Sequence, residues 1–476
     1  RTTTNEDFNV HADISGEFGD TLPQNILDRN LVPYFDRTWS EEARVTSPAD
    51  DPVNFVAGVY WSKTYTHDEI DQSGQLGVPL GPLEFRRLIN MHINQENYAG
   101  FGQVNWRITP DLQVFAGGRI THDNISDYSF NSFPDAFPSG PFIYTGDTGF
   151  FSVVPVNSCT LHGGVPYDAI QIPCPAGTST ITPGVLRKTG LSGKVGVQYQ
   201  VTPDTMIFGT VARGYKGPFM NESVSYTASL ARQPLAVGSE YPTDFELGVK
   251  TTLFDRLQVD ASLFTDKIEG FQTTIYVPPV PPLTVANFIQ GNAPHAISRG
   301  VEVSFFGAVT DNLSLNGGFI YNDAHFNHGF LVNCATGPCP AIDQLPFAPR
   351  WKATIAGEYH QRLGEDLDGF LQSDLAYSGK YFYGSAPGSF ASPDRYLLGA
   401  RAGVRSDDGH WSVAVFCRNC LDKRYPIDNV PDGFAFQDGA FAPVPPATAV
   451  GPGAPSYQFL SIDSYRVLGL TLDVQY

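Results

Sequence analysis

The chain has 476 residues, with 47 glycines, 34 phenylalanines and 22 tyrosines but only six cysteines and three methionines. A formal charge of -19 excludes nucleic acid as a partner, because phosphate recognition needs a basic stripe and none is present. No run approaches the roughly 18 apolar residues of a transmembrane helix. Many rings, many glycines and only 17% charged residues instead suit an all-β chain.

Taken in order, the elements begin at once. Arg1-Thr2-Thr3-Thr4 reads as the middle of a strand, with no charged n-region and no apolar h-region, so the chain is expected to start inside a larger protein. Further strands are expected to begin near residues 35, 53, 95, 112, 188, 205, 240, 257, 297, 313, 348, 369, 394, 411 and 464. That makes about sixteen by the period-two criterion. Phe245, Leu247, Val249, Thr251 and Leu253 share one face, with Glu246, Gly248, Lys250 and Thr252 on the other. Val301, Val303 and Phe305 alternate with Glu302 and Ser304, and Leu468, Leu470, Leu472 and Val474 with Gly469, Thr471 and Asp473. One apolar and one wet face fit an antiparallel sheet.

The connections sort into two lengths. Tight turns are expected at 47–51, 109–111, 202–204, 254–256, 310–312, 364–368 and 406–409, where Pro presets φ and Asp bonds nearby backbone. Between them lie long polar segments at 67–94, 129–187, 219–239, 276–296, 327–347 and 420–463. A soluble sandwich would not sort its turns this way. Short turns at one end and long loops at the other predict an antiparallel transmembrane β-barrel.

Several segments then become familiar. Phe55-Val56-Ala57-Gly58-Val59-Tyr60-Trp61, Ala212-Arg213-Gly214-Tyr215-Lys216-Gly217, Glu246-Leu247-Gly248-Val249-Lys250 and Ser298-Arg299-Gly300-Val301-Glu302 resemble strand motifs of TonB-dependent receptors. So do Leu345-Pro346-Phe347-Ala348-Pro349 and the run Arg418-Asn419 through Leu421-Asp422-Lys423-Arg424-Tyr425. The terminal Tyr476 is similar to the aromatic C-terminus that, in that family, the barrel-assembly machinery reads. The resemblance implies that residues 1–476 are one partial receptor barrel, about sixteen strands of an expected 22. It also implies that a plug, a TonB box and about six leading strands are absent from this sequence. The implied function is energised uptake of a scarce nutrient (a ferric siderophore, cobalamin or a glycan) across the bacterial outer membrane. The implied partners are a small-molecule ligand, outer-membrane lipid and lipopolysaccharide, and the TonB energy coupler. A passive porin is the alternative, since sixteen strands is a porin size.

Cysteines come in close pairs. Cys159 with Cys174 and Cys334 with Cys339 fall in long connections, where a cell-surface setting favours disulfides. A metal site from His325, His328, Cys334 and Cys339 is the alternative, but their spacing matches no common zinc unit. Cys417 shares the parity of Trp411, Val413 and Val415 and reads as a small lipid-facing residue, while Cys420 stands where the family has an apolar residue. Neither a catalytic motif nor a cofactor motif is present, so no enzyme is expected. Acids such as Asp68, Asp123, Asp135 and Asp438 outnumber bases in the loops, and Phe133, Phe137, Tyr167 and Phe434 offer flat surface to a ligand. No substrate-contacting residue is assigned from the sequence.

Overall fold

The computed structural model describes residues 29–31, 34–78, 81–132, 142–144, 151–153, 158–160, 171–173, 179–220, 236–277, 287–327, 329–334, 337–387, 389–431, 456–460 and 464–475. Its main sheet has sixteen strands. They are β1 (Arg29–Leu31), β2 (Tyr34–Thr46), β3 (Val53–Val78), β4 (Gly81–Arg107), β5 (Leu112–Ser132) and β6 (Ser179–Thr202). Next come β7 (Thr205–Arg213), β8 (Tyr241–Leu253), β9 (Leu257–Val277), β10 (Asn287–Ala308) and β11 (Leu313–Phe326). The sheet ends with β12 (Trp351–Arg362), β13 (Leu367–Ser378), β14 (Arg395–Ser406), β15 (Trp411–Arg418) and β16 (Val467–Val474).

From β3 onward each strand pairs antiparallel with the next, a meander with no crossover. The pieces β1 and β2 both pair with β3, at 71–73 and 56–68, so they share one lateral position and the sheet has fifteen. Among the described residues the two edges, β2 and β16, do not pair, and both run from the long-connection end toward the short-turn end. The fifteen strand starts expected from residue 35 onward each have a counterpart, and the one at residue 1 lies outside the described residues. At the short-turn end the agreement is close: 53, 112, 205, 257, 313 and 411 are starts in the structure too.

At the other end, which we call the mouth, the strands run further than the sequence suggested. β3 and β4 continue into a protruding hairpin, with Val78 opposite Gly81, through what was expected to be a loop. β6 and β10 start at Ser179 and Asn287 rather than near 188 and 297. The alternation of apolar residues stops where an apolar surroundings would stop, but backbone groups beyond it still need partners and keep pairing.

The tight turns follow from local chemistry. Thr109 Oγ1 accepts from the amides of Asp111 and Leu112 at 3.3 and 3.0 Å, and Thr310 Oγ1 does the same for Asn312 and Leu313 at 3.3 and 3.1 Å. One hydroxyl thus satisfies two amides that the ladder leaves over. Phe254 and Asp255 both have positive φ, 54 and 56°, which matches the right-handed twist of the hairpin they close.

The two faces differ as period two requires. Leu468, Leu470 and Leu472 are 71, 68 and 64% exposed, and Val59, Leu191, Leu247 and Leu263 continue the apolar outer face around the sheet. Tyr321 packs on Trp351 at 4.7 Å and Tyr377 on Tyr396 at 4.8 Å, aromatic cross-strand pairs on that same face. The inner face carries Arg119, Lys194, Glu246, Lys250, Arg401 and Arg405 in the alternate positions.

Candidate functional site

The inner wall is built on a repeated pairing of ring with glycine. Gly58 faces Phe101, Phe115 faces Gly196, Phe208 faces Gly248, Phe264 faces Gly300 and Phe416 faces Gly469, each directly across a ladder. A Cβ on Gly196, Gly248 or Gly469 would lie 2.3–2.4 Å from the opposite ring. Only glycine therefore lets the phenyl lie flat across the neighbouring strand. Cations rest on these rings: Arg119 on Phe101 at 5.8 Å, Lys194 on Phe115 at 5.5 Å, Lys250 on Phe208 at 5.8 Å and Arg418 on Phe416 at 5.6 Å. Arg401 and Arg405 both lie 5.3 Å from the Phe370 ring. Flat rings keep the wall low, and each cation–ring contact at an exposed site contributes about 0.5–1 kcal/mol toward holding its side chain against the wall. The wall so made presents cations and aromatic faces to a polar solute while projecting little into the space in front of it.

At the mouth, a strap follows β7 and precedes β8. Lys216 and Glu240 exchange backbone hydrogen bonds of 2.9 and 3.0 Å, and Phe219–Met220 pairs with Ala236–Val237. Side chains from four strands fasten it. Tyr215 Oη donates to Asp123 Oδ2 of β5 at 2.5 Å, and Asn97 Nδ2 of β4 donates to Asp123 Oδ1 at 2.7 Å. The Tyr215 ring occupies the space where a Cβ of Gly190 would stand, 2.2 Å away. Gln272 Nε2 of β9 donates to the carbonyls of Gly217 and Gly238, both at 2.9 Å. Asn292 of β10 accepts from the Gly238 amide at 2.7 Å and donates to the carbonyls of Gly238 and Gly270 at 2.9 and 2.7 Å. Asp123 is 2% exposed. Burial, and then the bond to Asp123, push the Tyr215 phenol well above its ordinary value, so it remains a donor throughout the physiological range.

Two sequence motifs acquire a physical reason here. In Arg213-Gly214-Tyr215-Lys216-Gly217, Gly214 backs onto Pro242, with a Cβ distance of 2.7 Å, and Gly217 onto Asp123 at 3.1 Å. In Arg418-Asn419 through Tyr425, Asn419 takes φ 46° and is 6% exposed. Its side chain accepts from the Lys423 amide at 3.0 Å and donates to the Ser464 carbonyl at 2.8 Å, tying the turn after β15 to the approach of β16. Asp422 accepts from the Arg466 amide at 3.2 Å; that bond, with Arg424 beside it, lowers the Asp422 carboxyl below its usual range. The sequence grouped Asp123 with the loop acids, whereas it is a buried strand residue, and did not single out Asn97, Gln272 or Asn292. The only signal was parity, since each polar side chain stands near the mouth end of its strand.

The cysteine and metal candidates are distributed as follows. Cys417 and Cys420 are joined by a disulfide, with Cα atoms 5.5 Å apart, a bridge not expected from parity. Cys339 is disulfide-bonded and sits in the hairpin of Leu331–Cys334 with Gly337–Pro340. The side chains of Cys334 and Cys159, and all of Cys174 and His328, lie outside the described residues. His325 Nδ1 lies 3.6 Å from Asp323 Oδ2, and no group of three or more metal-ligating residues occurs among the described residues. Of the loop aromatics, Phe133, Phe137, Tyr167 and Phe434 also lie outside them.

The ferric yersiniabactin uptake receptor FyuA from Yersinia pestis superposes with a TM-score of 0.64 at 15% identity, over 94% of this chain and 55% of that one. The siderophore receptor PiuA from Acinetobacter baumannii gives 0.57 at 13% identity, over 94% and 57%. The ferric-catecholate import receptor Fiu from E. coli K12, in its closed form, gives 0.55 at 13%, over 94% and 65%. At these identities the likeness is one of fold, and the chain spans between half and two thirds of each receptor's length. The family model described as TonB dependent receptor-like, beta-barrel matches residues 1–420, and the chain belongs to that family.

Proposed function

We propose that this chain is the barrel wall of an outer-membrane receptor that imports a small, scarce nutrient using energy delivered by the TonB coupler. The observation that carries the reading is a receptor-family sheet with an apolar outer face and a polar inner wall of flat rings and cations. Such a sheet suits hydrocarbon outside and water inside. A ring of this kind leaves a wide lumen unless something fills it, so selective import needs a filling domain and work to move it. High-affinity capture also means slow release, which the same work overcomes. Lipopolysaccharide would meet the outer face, and the barrel-assembly machinery would insert the chain.

The cargo class follows from charge. Acids outnumber bases in the connections at the mouth, which opposes long-range attraction of a highly anionic catecholate complex. A neutral or cationic ligand, or a metal complex of low negative charge, fits that field. The test is uptake in cells carrying the full-length gene, with and without the inner-membrane energy coupler. Saturable uptake that disappears without the coupler is expected. Equal uptake in both, linear in ligand concentration, would make the protein a porin.

A further inference from the structure

A groove crosses the outer face of β7, where one side chain is missing from the apolar surface. By alternation with Ile207 and Val211, Gly209 holds an outer position, between its register partners Val197 of β6 and Leu247 of β8. Its bare backbone is the floor, and Val195, Phe245 and Leu263 extend the walls around about 600 Å³. A Cβ at Gly209 would meet its nearest neighbour at 3.8 Å, an ordinary contact, so packing does not demand glycine there. Gly196, Gly248 and Gly469 of the inner wall differ, because an opposing ring leaves them no room.

Toward the mouth the same face becomes cationic. Arg213 stands four residues beyond Gly209, about 13 Å further along β7 at 3.3 Å per residue. Thr265 lines the groove; Lys267 stands two residues beyond it, and Arg299 of β10 is its register partner. Glu269 meets both Arg213 and Lys267, at 3.4 and 3.8 Å. Asp323 meets both Arg299 and Arg350, at 3.2 and 3.6 Å. Two carboxylates thus serve four cations, on a chain whose formal charge is -19. The four basic side chains are between 49 and 63% exposed. An arginine carries five N–H donors, so one carboxylate leaves several for a further acceptor.

We propose that this groove and its cations hold one phosphorylated acyl lipid of the outer leaflet, the lipid A part of lipopolysaccharide. An acyl chain lies over Gly209 between Val197 and Leu247, and a phosphate sits against Lys267 and Arg299. Apolar walls with cations at one end match the two halves of such a lipid, whereas a soluble anion would gain nothing from the groove. Bonds from guanidinium and ammonium groups to phosphate are charge-assisted and among the stronger ones available. A second outer-face groove, of about 750 Å³, is floored by Gly100 between Val59 and Ile120, and the carboxylate-bearing Glu41 lines it. The inference rests on the outer-membrane reading and adds to it a place for one lipid.

The experiment uses receptor expressed from the full-length gene and extracted from outer membranes. It is titrated with bis-phosphorylated and with dephosphorylated lipid A under native mass spectrometry. The expected result is one lipid A held preferentially, and about tenfold more weakly without its phosphates, as loss of a bond between charged groups implies. Lys267→Gln with Arg299→Gln should abolish that preference. This pair leaves Glu269 with Arg213 and Asp323 with Arg350, so no carboxylate is stranded. Gly209→Leu fills the groove and should weaken both lipids, while Gly100→Leu in the other groove changes neither. Equal affinity for the two lipids in the native receptor, or equal losses from Gly209→Leu and Gly100→Leu, would overturn the proposal and leave ordinary lipid coverage. A receptor that never reaches the outer membrane would overturn the membrane reading as well; one recovered there but indifferent to phosphate overturns this site alone.

Discussion

Asp123 fastens the strap at the mouth to the strands beside it. It is buried, and its two oxygens accept from Tyr215 and Asn97, groups that belong to the strap and to the neighbouring strand β4. Replacing it with Asn leaves one of those donors facing an amide nitrogen, and removing the phenol of Tyr215 leaves a buried carboxylate oxygen bare. Each change is expected to cost about 1–3 kcal/mol, the penalty for stranding a buried polar group. Faster hydrogen exchange at the Lys216 and Glu240 amides would register the loss. Unchanged exchange in both variants would show that the backbone bonds hold the strap unaided. The cysteines belong to the same scale. We expect Cys334–Cys339 and Cys159–Cys174 bridges in protein recovered from membranes, because the described Cys339 is already oxidised and the compartment favours the rest. Peptide mapping without reductant checks this; free thiols at all four positions would return the metal alternative to consideration.

At the scale of the strand, the ring-on-glycine pairs make a prediction with an internal control. A methyl group at Gly196 would meet three atoms of the Phe115 ring within 3 Å and no backbone atom as close. Gly196→Ala is therefore expected to destabilise the barrel by about 1–3 kcal/mol, as overpacking does. Combining it with Phe115→Leu should recover part of that loss, measured by urea unfolding in lipid vesicles. Additive effects would mean that ring and glycine do not interact. Period two was enough to read which residues share a face: Val301 with Val303 and Phe305, or Leu468 with Leu470 and Leu472, fall together as the alternation indicated. Turn residues located the short-turn end almost to the residue, because a hydroxyl such as Thr109 or Thr310 acts on its immediate neighbours. The mouth was less legible. Its strands outrun their apolar pattern, and the bonds that fix the strap join residues such as Asp123 and Tyr215, 92 positions apart. The bridge between Cys417 and Cys420 escaped parity because the chain leaves the strand at Arg418.

For the whole molecule, the expectation that lipid covers the outer face can be tested with one substitution. Leu247 is 61% exposed midway along β8, between Gly209 and Leu263. Leu247→Lys is expected to destabilise the barrel by about 2–4 kcal/mol in lipid vesicles if that position lies near the bilayer midplane. Thr210→Lys on the inner face, beside Glu246, should cost little. Equal costs for the two would place water on both faces and sink the membrane assignment. The directions of the edge strands carry a further consequence. In an all-antiparallel ring, up and down must alternate all the way round, as two colours must alternate around a necklace. β2 and β16 both point down, so joining them directly would put two beads of one colour side by side. Whatever closes this wall must insert an odd number of strands. Fifteen positions subtracted from the 22 of the largest plugged transporters leave seven, which satisfies the rule.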